Sequence, residues 1–188
     1  MEQKQFKETV MIVDANYLDR VGGDFRVGLK AEMGQEIPAA DLAEWIVSAA
    51  IESGVLLTSK SETQVVFVCE KGHSALRHFV PMSLLTEVDG LAFRDEQHGE
   101  FLMSVVQDEH LYEGDPLLVQ SVELLLASSV VKNLVIVPDA EQASTVADMV
   151  GKATSDQQVK LLTIKPLEGV GCGQLGYTVL DALGLHSS

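Results

Sequence analysis

Short runs of consecutive apolar residues alternate along this chain with stretches in which apolar residues recur every three or four positions. The continuous runs are typical of strands that are covered on both faces. We predict such strands at residues 9–13, 63–69, 133–137 and 159–164. The periodic stretches predict helices. We place these helices at about residues 16–33, 38–54, 76–85, 117–127, 140–151 and 175–183.

A hairpin is predicted between the second strand and the helix at 117–127. Two apolar segments, residues 91–93 and 101–106, flank the polar turn at 95–99, which contains a glycine. Because the other strands are wholly apolar and alternate with helices, the chain should form an α/β fold with a mainly parallel sheet between helices. We therefore expect one α/β domain over residues 1–188, with a three-layer α/β/α architecture.

The composition sets limits on partners and location. The chain carries 13 Lys and Arg against 28 Asp and Glu, a net charge of −15, which counts against a broad polyanion-binding surface. No apolar run reaches the roughly 20 residues that a membrane helix needs, and residues 1–8 are polar where a secretory signal is apolar. We expect no membrane association, a cytoplasmic location, and reduced thiols at Cys69 and Cys172.

Carboxylates follow three of the predicted strands. Asp14 ends the first strand, Glu70 the second, and Asp139 follows the strand at 133–137. In parallel sheets, ligands bind outside the carboxyl ends of the strands. Asp115, at the start of an apolar helix, joins the group if that helix begins at the same edge. Oxygen ligands of this kind suit Mg²⁺ or Mn²⁺, which can activate water for phosphodiester attack.

Each of these aspartates also has a purely structural interpretation. Asp14 can accept the amides of the following helix, and Asp115 with Pro116 is a typical helix start. Asp139 with Gln142 fits a capping box. Capping is the commoner use of aspartate at a helix start, so both interpretations stay open.

The order of these elements resembles the PIN and NYN group of metal-dependent nuclease domains. The resemblance rests on a strand ending in Asp14-Ala15-Asn16, a central helix introduced by Gly114-Asp115, and a strand ending in Asp139-Ala140-Glu141. It implies an α/β sandwich in which Asp14, Asp115 and Asp139 bind the metal. Glu141 and Asn16 would support them. It also implies a ribonuclease activity, with single-stranded RNA as the substrate class. Glu113 stands where the group commonly has a basic residue.

A second motif, Gly171-Cys172-Gly173-Gln174-Leu175-Gly176, matches the spacing of a phosphate-binding glycine turn. Only 12 residues follow Gly176 (188 − 176), too few for the next strand and acidic residue of a dinucleotide site. We interpret the segment as a flexible connector into the last helix.

Two functions remain as hypotheses. One is a metal-dependent phosphodiesterase that acts on RNA. The other is a catalytically inactive PIN-like module that binds another protein or itself, with the hairpin at residues 91–106 as its exposed edge. The carboxylates favour the first hypothesis, whereas the net charge and Glu113 favour the second.

Overall fold

The computed structural model of the chain describes residues 6–110, 114–154 and 156–185. The strands are β1 (Thr9–Asp14), β2 (Ala40–Asp41), β3 (Glu62–Glu70), β4 (Phe79–Val80), β5 (Ala92–Asp95), β6 (Gly99–Asp108), β7 (Asn133–Val137), β8 (Gln158–Thr163) and β9 (Cys172–Gln174). The helices are α1 (Ala15–Met33), α2 (Leu42–Glu52), α3 (Leu84–Glu87), α4 (Leu117–Ala127), α5 (Ala143–Lys152) and α6 (Leu175–Ala182).

Seven strands form the central sheet in the order β5-β6-β3-β1-β7-β8-β9. All neighbours are parallel except β5, which pairs antiparallel with β6. The four strands predicted from apolar runs all lie in this sheet. The chain is therefore an α/β protein with a mostly parallel sheet, as the alternation of strands and helices indicated.

The alternating residues of β1 face two separate cores. Met11 and Val13 pack in one cluster with buried residues of α1, α2 and α6, whereas Val10 and Ile12 pack in the other with α4 and α5. Helices thus cover both faces of the sheet, which explains the continuous apolar runs of its central strands β1 and β7. Trp45 is fully buried in the first core, and its indole N–H donates to Thr178 Oγ1 at 2.9 Å.

Gly22 and Gly23, which weaken α1 in the sequence, let another segment approach the helix closely. A Cβ at Gly22 would lie 2.8 Å from Phe79 Cε2, and one at Gly23 would lie 2.6 Å from His78 Nε2. Both distances are shorter than real Cβ contacts. The glycine pair therefore forms a notch in α1 that accepts the segment around β4.

Three of the predicted helices differ from the structure, and one of them, expected from residue 140, begins at Ala143. The helix expected at residues 76–85 is wrong: Phe79 belongs to β4, which pairs with β2, and only α3 is helical, capped by Ser83. The helix expected from Pro38 begins four residues later, because Asp41 is its N-cap and accepts from Glu44 N at 3.0 Å.

The hairpin at residues 91–106 is confirmed as β5 and β6, but most of it is not an exposed edge. β6 lies between β5 and β3, and Phe101 is fully buried with its ring stacked 5.0 Å from that of Phe93. The free edge is β5 alone. The flexible connector expected at residues 171–176 is also wrong, since it forms β9 and the start of α6.

Candidate functional site

Strand order reverses at the centre of the sheet, between β1 and β7. From β1 the chain builds outward through β3 and β6 on one side, then crosses to β7, β8 and β9 on the other. Ligands of open α/β sheets bind at such a switch point, outside the carboxyl ends of the strands. Asp14 is the last residue of β1, and Asp139 lies two residues beyond the end of β7. Two of the predicted site residues thus lie at this point.

Asp14 is both a helix cap and a half-buried acid. It is the N-cap of α1, and its Oδ1 accepts from Tyr17 N at 3.0 Å. Burial raises its pKa from 3.8 to about 6; Asp139 and Glu70 add to this rise, while the Tyr17 hydrogen bond and Arg20 oppose it. The capping interpretation of Asp14 is therefore confirmed. A half-buried carboxyl with a pKa shifted this far is also a candidate functional group.

Asp139 is held by two neighbours. Its Oδ2 accepts from Arg20 Nη2 at 3.0 Å, and its Oδ1 accepts from the backbone N–H of Glu141 at 2.6 Å. The capping box expected with Gln142 is wrong, because α5 begins at Ala143 and its N-cap, Gln142, makes no side-chain cap. Glu141 itself is exposed. Asp139 therefore begins a turn with its carboxylate held by two hydrogen bonds, and its charge acts on Asp14.

Asn16 holds the loop after β3 against the start of α1. Its Oδ1 accepts from Glu70 N at 2.8 Å, and its Nδ2 donates to His73 O at 2.9 Å. Both ends of the side-chain amide are thus engaged with the backbone. Asn16 acts here as a positioning residue for Glu70, the third acidic group whose charge reaches Asp14.

Asp115 has different surroundings from Asp14 and Asp139. It lines a cavity of about 280 Å³ beyond the end of β6, together with Asp108 and His110. It is not among the charged groups that act on Asp14. The structure thus brings Asp14 and Asp139 together and leaves Asp115 with another group. Glu113 lies outside the described residues.

The cap expected from Asp115 is provided by Asp108. Its Oδ2 accepts from Leu117 N at 3.0 Å and its Oδ1 from His110 N at 2.9 Å, whereas Pro116, the N-cap residue, makes no side-chain cap. Burial raises the pKa of Asp108, but these two hydrogen bonds outweigh it and hold the pKa below its ordinary value. The sequence signal for Asp108 is weak, because nine residues separate it from Leu117.

No preformed metal cage exists in the part of the chain that the structure describes. Within residues 6–110, 114–154 and 156–185, no group of three or more His, Cys, Asp or Glu side chains could hold an ion. A pair of carboxylates still fits Mg²⁺, which is usually bound by one or two carboxylates together with waters and substrate phosphates. Asp14 meets this description, since its Oδ2 makes no hydrogen bond to any described residue.

The cysteines contribute no redox pair. Cys69 is buried, and burial followed by the charge of Asp14 raises the pKa of its thiol. Cys172 is half-buried in β9, and its Sγ accepts from Leu167 N at 3.5 Å.

Among the described helices, none is long and apolar enough to cross a membrane.

Comparison with known proteins assigns the chain to a family without assigning an activity. Residues 3–188 match the family described as "Family of unknown function (DUF6621)", and the chain belongs to that family. Neither the curated proteins nor the solved structures give a match.

Proposed function

We propose that this member of the DUF6621 family is a divalent-metal-dependent phosphodiesterase that acts on single-stranded RNA. Asp14 and Asp139 would hold Mg²⁺ or Mn²⁺ at the switch point between β1 and β7. The finer fold assignment, a PIN- and NYN-like three-layer α/β/α sandwich, is part of the same proposal. This fold assignment is supported by the order of the parallel strands around β1, which is β6-β3-β1-β7-β8.

One observation carries the proposal: the half-buried Asp14 carboxyl and the Asp139 carboxylate, whose charge acts on it, both lie at the position where this class of sheet binds ligands. Asp14 remains ionised at neutral pH against the cost of burial and the repulsion of Asp139 and Glu70. A cation bound between Asp14 and Asp139 would offset both effects. When bound there, a divalent ion lowers the pKa of a coordinated water and stabilises the charge that develops on phosphate.

The residues around the pair have separate tasks in this proposal. Asp14 offers Oδ2, since its Oδ1 is occupied by Tyr17 N. Asn16 keeps Glu70 in place, and Glu141 fixes the Asp139 carboxylate through its backbone N–H. Arg20, which is largely exposed, can turn from Asp139 to a substrate phosphate. Asp115 remains a proposed third ligand, and its substitution is included in the test.

The test compares aspartate-to-asparagine variants in metal binding and in RNA cleavage. Melting temperature is measured with and without millimolar Mn²⁺, and cleavage is measured on a labelled single-stranded RNA. We expect Asp14→Asn and Asp139→Asn to lose both the Mn²⁺-dependent stabilisation and the cleavage. Asp41→Asn is the matched control, because Asp41 is also an N-cap that accepts an i+3 amide but is exposed and lies in β2. It should behave like the parent.

An unchanged melting temperature of the parent in Mn²⁺ would contradict the metal site. Equal cleavage by the parent and both site variants would contradict the assignment of Asp14 and Asp139. Asp115→Asn decides the third position separately: if Asp115 is a ligand, this variant also loses the Mn²⁺-dependent stabilisation.

The Arg20–Asp139 ion pair favours a second candidate, a catalytically inactive module that keeps the fold and binds a protein partner or itself. In that case the arginine permanently neutralises the second carboxylate, and no metal is needed. The free edge at β5, with Leu91 half-exposed beside it, is then the expected contact surface. Absence of cleavage together with a larger particle mass that Leu91→Asp abolishes would establish this candidate.

A further inference from the structure

A cavity of about 500 Å³ lies beside Asp139, on the β7 and β8 side of the switch point. It is bounded by α1 and by the segments that follow β7 and β8. Its lining includes Tyr17, Arg20, Phe25, Pro138, Ile164 and Lys165. Arg20 lines the cavity and forms the ion pair with Asp139, so the cavity adjoins the Asp139 side of the candidate site.

The walls of the cavity suit a flat, partly apolar ring. Tyr17 is half-buried, and the Arg20 guanidinium lies 5.7 Å from the centre of its ring. Aromatic rings and guanidinium planes are the two surfaces on which unstacked bases pack in RNA-binding proteins. Ile164, which is 45% exposed, and Phe25 add apolar wall. The cavity therefore offers a stacking surface rather than a polar cleft.

The charge at the cavity distinguishes its ligand from other flat molecules. The chain as a whole has a net charge of −15, yet two cationic side chains, Arg20 and Lys165, line this cavity against one acid, Asp24. Arg20 uses Nη2 on Asp139, and its guanidinium has further N–H groups to donate. An apolar ring that carries an anionic group matches this combination. A nucleotide has both parts.

We propose that this cavity holds the base of the nucleotide whose phosphate lies at Asp14 and Asp139. The inference rests on the proposed function for the position of the phosphate, and it adds the part of the substrate that is recognised. A base can enter the cavity only when it is unstacked and unpaired, so the substrate is a nucleotide in single-stranded RNA or at its end. Tyr17 is the residue that determines base recognition.

The experiment isolates the base by comparing two probes on the full chain. Calorimetric titration in Mg²⁺ measures adenosine 5′-monophosphate and ribose 5-phosphate, which share the phosphate and differ by the base. We expect the nucleotide to bind at least about tenfold more tightly, since stacking on an aromatic side chain is worth roughly 1–3 kcal/mol per base. Tyr17→Leu should remove this difference, whereas Tyr17→Phe, which keeps the ring, should retain it.

Two more variants distinguish a loss of base binding from a general loss of structure. Ile164→Glu places a negative charge on the partly exposed wall of the cavity, and we expect it to weaken binding of the nucleotide about tenfold or more. Tyr177→Leu is the control, because Tyr177 is 60% exposed on α6 and does not line the cavity. It should bind both probes like the parent.

The results also separate this inference from the proposed hydrolysis. Equal affinities for the two probes, or equal nucleotide affinities of Tyr17→Leu and Tyr17→Phe, overturn the base pocket even if RNA is cleaved. If the nucleotide binds with the expected dependence on Tyr17 but neither Mg²⁺ nor Mn²⁺ supports cleavage, the base pocket stands and the phosphodiesterase proposal falls.

Discussion

Replacing Asp14 with asparagine should stabilise the metal-free protein at neutral pH. Asparagine caps a helix about as well as aspartate, so the hydrogen bond from Tyr17 N is kept. The substitution removes a half-buried negative charge whose ionisation is opposed by partial desolvation and by Asp139. We therefore expect the variant with the impaired site to be the more stable protein, as is common where a functional site stores strain.

The size of the effect follows from the pKa of Asp14. A rise from 3.8 to about 6 corresponds to about 3 kcal/mol, at 1.36 kcal/mol per pKa unit. Because the folded pKa lies above the unfolded one, the protonated carboxyl favours the folded state at low pH. That stability is lost as pH rises from 3.8 through about 6. The advantage of Asp14→Asn should thus be about 3 kcal/mol at pH 8 and only about 1 kcal/mol at pH 4.5.

The assay is urea unfolding of parent and variant in EDTA, at several pH values between 4.5 and 8. The difference in unfolding free energy between the two proteins isolates Asp14 from the other acidic groups, which titrate in both. Asp41→Asn again provides the control, because its carboxylate is exposed and the same cap chemistry is changed. We expect no gain in stability for that variant.

Two results would refute this reasoning. If Asp14→Asn is less stable than the parent at pH 8, the carboxylate stabilises the fold, and its burial has been offset by contacts other than a metal. If the variant is more stable by the same amount at pH 4.5 and pH 8, the gain does not come from the charge of Asp14.

Two further predictions concern packing and capping. Gly22→Ala should destabilise the protein by about 1–3 kcal/mol, because its Cβ would collide with Phe79. Gly28→Ala, in the same helix with open space around it, should stabilise the protein by about 0.5–1 kcal/mol. Denaturant unfolding measures both effects, and a loss of stability at Gly28 equal to that at Gly22 would contradict the notch in α1. Asp108→Ala should cost about 1 kcal/mol at pH 7 through loss of the cap on Leu117. Because the pKa of Asp108 is lowered, this cost should shrink as pH falls below the ordinary aspartate range, and a cost independent of pH would argue against the cap.

The strands of the sheet could be predicted from the sequence because burial on both faces leaves a continuous apolar run. β1, β3, β7 and β8 carry such runs. β9 does not, because it is only three residues long and includes Gly173, where a Cβ would lie 2.7 Å from Leu162. Two of the glycines that resembled a phosphate-binding turn, Gly173 and Gly176, therefore reflect close packing, whereas a Cβ at Gly171 would make only ordinary contacts. The local sequence pattern around β9 contains no information about the neighbouring side chains, such as Leu162, that exclude a Cβ.

The candidate site was predictable only in part, for a related reason. The ends of β1 and β7 can be read along the chain, and this placed Asp14 and Asp139 at one edge. The caps of α4 and the role of Asn16 depend on residues far apart in sequence: Asp108 with Leu117, and Asn16 with Glu70 and His73. The spacing rules for helix caps apply to residues within a few positions of the helix start. They do not identify Asp108, which caps α4 from the end of β6.

The position of β1 at the centre of the sheet also governs how the protein is made. Thr9 pairs with Thr63 on one side and with Asn133 on the other, which are 54 (63 − 9) and 124 (133 − 9) residues further along the chain. At roughly 5–20 residues per second of synthesis, the second partner emerges roughly 6–25 seconds after the first strand. During most of this interval the Val10 and Ile12 face of β1 lacks the helices that cover it, since α4 is made shortly before β7 and α5 after it, so a nascent chain that has left the exit tunnel exposes apolar surface to chaperones. Asp139 is translated later still, so the two carboxylates come together only after β1, β3, β6 and α4 have been made.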